Sequence, residues 1–248
     1  GIAIAVMVVY GSAKTLALGK YTTETWIDLA ITGLALGGVY ALIALGYTLV
    51  YGILRMINFA HSEVFMSGPF TAAFAAEALV RLGWWNRFPL LSLLIVLAVS
   101  AGVSATIAIL VERIAYRPLR NAPRLVPLIT AIGASFFLQY TFRGLYGSGL
   151  KGYPEMDIFR GFFMIGGIRI FKTQATAIIG AIVLMLILYT IVQRTKMGKA
   201  MRSVSEDKEV AALMGIDVNR TIATTFALGG AAAGLAGILY LLLFPVAH

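Results

Sequence analysis

The chain has 248 residues, 60% of them hydrophobic and 12% charged, with no cysteine and a formal charge of +9. Soluble domains carry roughly 45–50% apolar and about 25% charged residues, so a core of this size cannot absorb the surplus and lipid must cover it. The lack of cysteine excludes a disulfide scaffold, thiolate metal sites and a cysteine nucleophile. The positive charge forms no continuous basic face, so it fits membrane-flanking loops and not nucleic acid.

In chain order, residues 1–25 come first: an apolar stretch interrupted by Lys14 and lacking a basic leader region. It is expected to form an extra spanning or interfacial helix and not a signal peptide. Six later segments meet or approach the roughly 20 apolar residues needed to cross the hydrocarbon core: Trp26–Leu54, Ser62–Val80, Phe88–Val111, Leu125–Tyr146, Thr173–Gln193 and Thr221–Phe244. Their apolar runs are continuous, which excludes a β-barrel. The expected fold is an all-α polytopic transmembrane helical bundle, with residues 1–248 forming a single transmembrane domain. Gly33 and Gly37 in the first of these segments, and Gly230 and Gly234 in the last, have the spacing that lets membrane helices approach closely.

Between the first two segments lies Arg55-Met-Ile-Asn58-Phe-Ala-His61-Ser-Glu63. Ionisable groups at membrane depth are costly and face a cavity or one another. Two readings stand: a broken helix placing Asn58, His61 and Glu63 near a substrate pathway or bracing the backbone, or an interfacial turn with its charges in headgroup water. The connection Arg81–Arg87 offers Trp84 and Trp85 as interfacial anchors. Glu112–Arg124 holds four arginines, and Arg194–Arg220 six basic and four acidic residues. These two loops are separated by two spans and share a side, which the positive-inside rule makes cytoplasmic. Gly147–Lys172 is mixed in charge and includes the apolar stretch Phe162–Phe171.

Some matches carry no chemistry. Gly147-Ser-Gly-Leu-Lys-Gly152 matches G-x-G-x-x-G, but it follows a membrane span and not a βαβ strand, so it reads as a flexible turn. No G-x-x-x-x-G-K-[ST] occurs, so ATP, if it drives the protein, is bound by another subunit. With only His61 and His248 and no cysteine, neither a metal site nor a cofactor is expected. The segment 194–220 is better resolved. Ser203-Val-Ser-Glu206 fits a capping box, and Glu206 and Asp207 suit the positive end of a new helix. Val210, Ala211, Leu213 and Met214 form an apolar patch, and Gly215 stops the helix. A patch this small forms no core and must dock, either on the bilayer surface or in a groove on a protein. The acidic first turn favours the protein.

The stretches Gly33–Gly52, Met56–Glu63, Val111–Arg120, Ile129–Gln139, Met197–Arg202 and Ala211–Ile216 closely resemble, in order, the LivH-type permeases of branched-chain amino acid ABC importers. The resemblance implies a bacterial inner-membrane permease that makes or breaks no substrate bond. Its implied partners are a second permease subunit of the same family, two cytoplasmic ABC ATPase subunits and an extracytoplasmic amino-acid-binding protein. It also implies that Ser203–Gly215, with Glu206, Asp207, Ala211, Leu213 and Met214, is the coupling helix seated on the ATPase, and that transport runs by alternating access. Ser62 stands where the family usually has glycine. Residues 1–25 have no family counterpart, and members continue through further membrane helices beyond the position of His248, so a piece of a longer protein is expected. Rival expectations are the same architecture serving urea, short-chain amides or broader neutral amino acids, and a standalone secondary transporter or channel. A membrane-embedded enzyme is a third, for which no nucleophile is placed.

Overall fold

A computed structural model describes residues 2–19, 22–120, 122–123, 125–147, 151–165, 168–244 and 246–247. The chain folds into helices α1 (Ile2–Ala17), α2 (Thr23–Leu54), α3 (His61–Arg81), α4 (Trp84–Arg87), α5 (Pro89–Val111), α6 (Leu125–Tyr146), α7 (Lys172–Arg194), α8 (Lys196–Glu206), α9 (Lys208–Leu213) and α10 (Val218–Leu243). A wide π turn, Glu112–Tyr116, and a 3-10 turn, Arg117–Leu119, extend α5. Strand β1 (Lys151–Gly152) pairs with β4 (Val246–Ala247), and β2 (Phe162–Ile165) pairs antiparallel with β3 (Ile168–Phe171).

Among the described residues five helices are long and apolar enough to cross a membrane: α2, α5 with its extension, α6, α7 and α10. The chain is therefore a multi-pass membrane protein. The sixth expected segment is α3. At 21 residues it spans about 31 Å, but it falls short in apolarity. Ten of its residues are buried against its neighbours, so it needs less lipid-facing surface. Helix α1 makes no extended contact with the bundle, and Met7, Val9 and Tyr10 are exposed on it.

Helix α10 is the central post, packed against α5, α2, α3 and α7. Small residues make this possible. A Cβ at Gly230 would meet the Ser104 carbonyl oxygen at 2.6 Å, and one at Gly234 the Ser100 carbonyl oxygen at 2.6 Å. Gly46 and Gly229 face each other so closely that a Cβ on either would lie 2.7 Å from the other's carbonyl oxygen. Serine hydroxyls of α5 add hydrogen bonds between helices: Ser100 Oγ donates to the Gly234 carbonyl of α10 at 2.7 Å and Ser104 Oγ to the Val64 carbonyl of α3 at 2.8 Å. Packing and interhelical hydrogen bonds of this kind replace the hydrophobic drive that lipid cannot supply. Gly33 and Gly37 differ. Nothing lies within 4 Å of their Cβ positions, so the close packing expected there finds no partner among the described residues.

The loops gather at two ends. At the basic end sit the α2–α3 break, the π turn, and α8 with α9. Arg120 donates to Asn219 and ties the two arginine-rich loops together, so Glu112–Arg124 and Arg194–Arg220 do share a side. At the opposite end Trp85 Nε1 donates to the Glu155 carbonyl at 3.3 Å, and the Asp157 N–H donates to Asn86 Oδ1 at 3.2 Å. Gln174 Nε2 donates to Thr32 Oγ1 at 2.8 Å. Within the apolar stretch Phe162–Phe171, the described residues form the antiparallel pair β2 and β3. It lies outside the spans, where a sheet edge can meet water. The flexible turn expected at Gly147–Gly152 falls largely on Ser148–Leu150, outside the described residues.

Candidate functional site

The break between α2 and α3 is built by local polar groups. Arg55 ends α2 in the left-handed region, φ 55° and ψ 30°, and its N–H donates to the Tyr51 carbonyl at 2.7 Å. Asn58 Oδ1 then accepts the Ala60 N–H at 3.1 Å, an Asx turn that competes with helix. The Tyr116 hydroxyl lies 3.2 Å from the same Oδ1 and 3.3 Å from the Ile57 carbonyl. Asn58 and Tyr116 are buried, and Tyr116 tilts against Phe226 with ring centroids 5.6 Å apart. The π turn aims Tyr116 at the break, in keeping with the tendency of such bulges to mark functional positions.

The three candidate pathway residues therefore separate. Asn58 braces the backbone. His61 is buried edge-on against Tyr47, centroids 5.7 Å apart, beside the space that Gly46 leaves. Asn58 and His61 are buried within the chain, while Arg55 is exposed. Of the three, Glu63 is on the wall of a described cavity. Its Oε1 accepts from Ser135 Oγ of α6 at 3.2 Å and from Ser62 Oγ at 3.4 Å. That cavity, about 450 Å³, lies among α2, α3, α6 and α10, with Tyr40, Glu63, Pro69, Gln139 and Tyr240 on its walls. Tyr40, Ser135, Gln139 and Tyr240 were not singled out from the sequence. The one signal was Glu63 itself, a membrane-depth carboxylate that needs hydroxyl partners.

At the basic end, Thr195 Oγ1 caps α8 by accepting the Gly198 N–H at 3.0 Å. Helix α8 buries Met201 and Val204 in the core that also holds Ile53, Leu54 and Ile222. It runs through Ser203 to Glu206, so the expected capping box does not form. Ser203 and Glu206 occupy the last turn of one helix because the apolar stripe that docks α8 begins earlier, at Met197 and Met201. The cap is Asp207: its Oδ1 accepts the Glu209 N–H at 2.8 Å and the Val210 N–H at 3.0 Å. Helix α9 follows and stops at Gly215, φ +82°. There the Gly215 N–H donates to the Ala212 carbonyl and the Ile216 N–H to the Ala211 carbonyl, both at 3.0 Å, a Schellman closure.

The apolar patch divides. Ala211 turns into the core, while Val210, Leu213 and Met214 point outward, Leu213 86% exposed and Met214 78%. Partial burial, with the Arg120 and Arg55 charges beyond it, lowers the Lys208 ammonium below the ordinary lysine range. Nearby, the fully buried Glu112 pairs with Arg117 at 3.2 Å and with Arg120. Among the described residues no group of His, Cys, Asp and Glu could hold a metal ion.

A multi-pass bundle with a largely apolar cavity that holds one carboxylate, and with a bare apolar helix tip at one end, fits the class of membrane transport subunits. Comparison with known proteins gives the particular group. Residues 29–248 match the family described as branched-chain amino acid transport system, permease component. The high-affinity branched-chain amino acid transport system permease LivH of Escherichia coli K12 is 39% identical over 225 residues, covering 86% of this chain and 70% of that protein. BraD of Pseudomonas aeruginosa is 39% identical over 219 residues with the same coverage. A probable branched-chain amino acid permease LivH of Methanocaldococcus jannaschii is 29% identical over 201 residues, covering 79% of this chain and 60% of that one. No solved structure matches. The chain belongs to the branched-chain amino acid transport permease family.

Proposed function

We propose that this chain is the membrane permease of an ATP-driven importer that moves branched-chain amino acids across the bacterial inner membrane by alternating access. The basic end faces the cytoplasm, where the arginine-rich loops satisfy the positive-inside rule. Two ATPase subunits dock there, a second permease of the same family pairs with this one, and an extracytoplasmic binding protein delivers substrate. The cavity beside Glu63 forms one wall of the path. Its carboxylate suits an ammonium group, and Ile43, Met66 and Leu241 suit an aliphatic side chain.

The observation that carries the ATPase assignment is α9, a capped and closed helix whose largest apolar side chains, Leu213 and Met214, face outward. Burying each in a partner groove contributes about 1.5–3 kcal/mol. The test is reconstitution of the complete transporter in liposomes, with and without Leu213→Asp. Wild type should accumulate leucine only with ATP and binding protein. Leu213→Asp should insert normally, yet lose ATPase co-purification and uptake by at least about ten-fold. Uptake by the chain without ATPase subunits, or undiminished uptake by the variant, contradicts the proposal.

A further inference from the structure

Arg55 occupies an unusual place. Among the described residues it is the single non-glycine residue with positive φ. A branched, charged side chain gains nothing from the left-handed region, where non-glycine residues cost about 1–2 kcal/mol, so something else must hold it there. That something is the end of α8. Arg55 Nη2 donates to the Ser205 carbonyl at 2.8 Å and reaches the Glu206 carbonyl at 3.5 Å. These are two of the last four carbonyls of α8, which no helical N–H can satisfy. They carry the negative end of the helix dipole, where a guanidinium is favoured. The next residue is Asp207, the elbow from which α9 projects.

Arg55 is thus a C-cap for two helices at once. Its backbone closes α2 and its side chain closes α8, across 150 residues of sequence. On its other side, three residues along, Asn58 is held by Tyr116 and opens α3, which carries Glu63.

We infer that Arg55 is a positioning residue that transmits movement of the α8–α9 elbow to the α2–α3 break, so that docking at α9 is felt at the Glu63 cavity. This rests on the importer reading above. The elbow and the break are also joined by apolar packing, in which Val204 and Met201 lie with Ile53 and Leu54. Packing alone lets the two surfaces slide. The Nη2 hydrogen bond to the Ser205 carbonyl, with the Glu206 carbonyl beside it, fixes one end against the other and makes the link directional. A lysine keeps the charge, but its ammonium is a compact point charge on a shorter side chain that ends before the Nη2 position.

The experiment measures leucine taken up per ATP hydrolysed by the complete transporter in liposomes, for wild type, Arg55→Gly and Arg55→Lys. Glycine keeps the left-handed backbone and deletes the strut; lysine keeps the charge. The expected result is ATP hydrolysis near wild type with the uptake-to-ATP ratio down about five-fold in Arg55→Gly and partly restored in Arg55→Lys. A residue that only stabilised the fold would lower both activities together and leave the ratio unchanged. If Arg55→Gly does not assemble, Arg55→Lys decides, with a ratio below wild type expected. A wild-type ratio in whichever variant assembles overturns the strut while leaving the importer reading intact. Absence of ATP-dependent uptake by wild type overturns that reading instead.

Discussion

Two interruptions of helix lie at the same end of the bundle and are built in opposite ways. The α2–α3 break is held from every side: Asn58 accepts from Ala60 and Tyr116, Tyr116 packs on Phe226, and both residues are buried. The α8–α9 elbow is closed by its own turn, through Asp207 and Gly215, with Arg55 as its tie to the break, and residues 212–215 beyond Ala211 are exposed. The difference separates inside from outside work. A break whose Asn58 and Tyr116 side chains are hydrogen-bonded within the chain can move only as the bundle moves. A tip that is closed locally but left apolar outside is shaped for another molecule to grip. Substitutions at the first should therefore cost stability, and substitutions at the second should cost association.

The largest loss of stability is expected at the support of the break. Glu112→Ala leaves Arg117 and Arg120 without their shared, fully buried counter-charge. Breaking such a pair costs about 3–5 kcal/mol, which should lower the thermal midpoint of the detergent-solubilised protein by the widest margin. Asn58→Ala comes next. It strands the buried Ala60 N–H, at about 1–3 kcal/mol for the orphaned group, while the Tyr116 hydroxyl keeps the Ile57 carbonyl, and the same thermal scan should show a smaller drop. A drop as large for Leu213→Asp as for Asn58→Ala would break the comparison, because Leu213 touches little of its own chain.

The apolar runs made the helices legible from the sequence, since only helix satisfies a lipid-embedded open chain, and the arginine-rich loops placed two connections on one side. Other features were not legible, for physical reasons. Gly33-x-x-x-Gly37 and Gly230-x-x-x-Gly234 are the same pattern, yet only the second meets a neighbour, because spacing says that a helix can be approached and not by what. Ser203 to Glu206 has capping-box chemistry, but tertiary docking of Met201 and Val204 carries α8 through it and leaves the cap to Asp207. The Glu63 cavity needed Ser135 and Gln139 from α6, and no local pattern announces a contact 72 residues away. Arg55 stood within the noticed stretch, but its role depends on carbonyls of α8 that sequence does not bring near.

The chain has no native cysteine, so a single Leu213→Cys substitution gives a clean probe of the central claim. It should be labelled by a membrane-impermeant maleimide in inside-out vesicles, remain unlabelled in right-side-out vesicles, and be protected when the ATPase subunits are bound. Labelling from the outer face, or equal labelling with and without the ATPase, would contradict the account of α9 as the cytoplasmic docking tip.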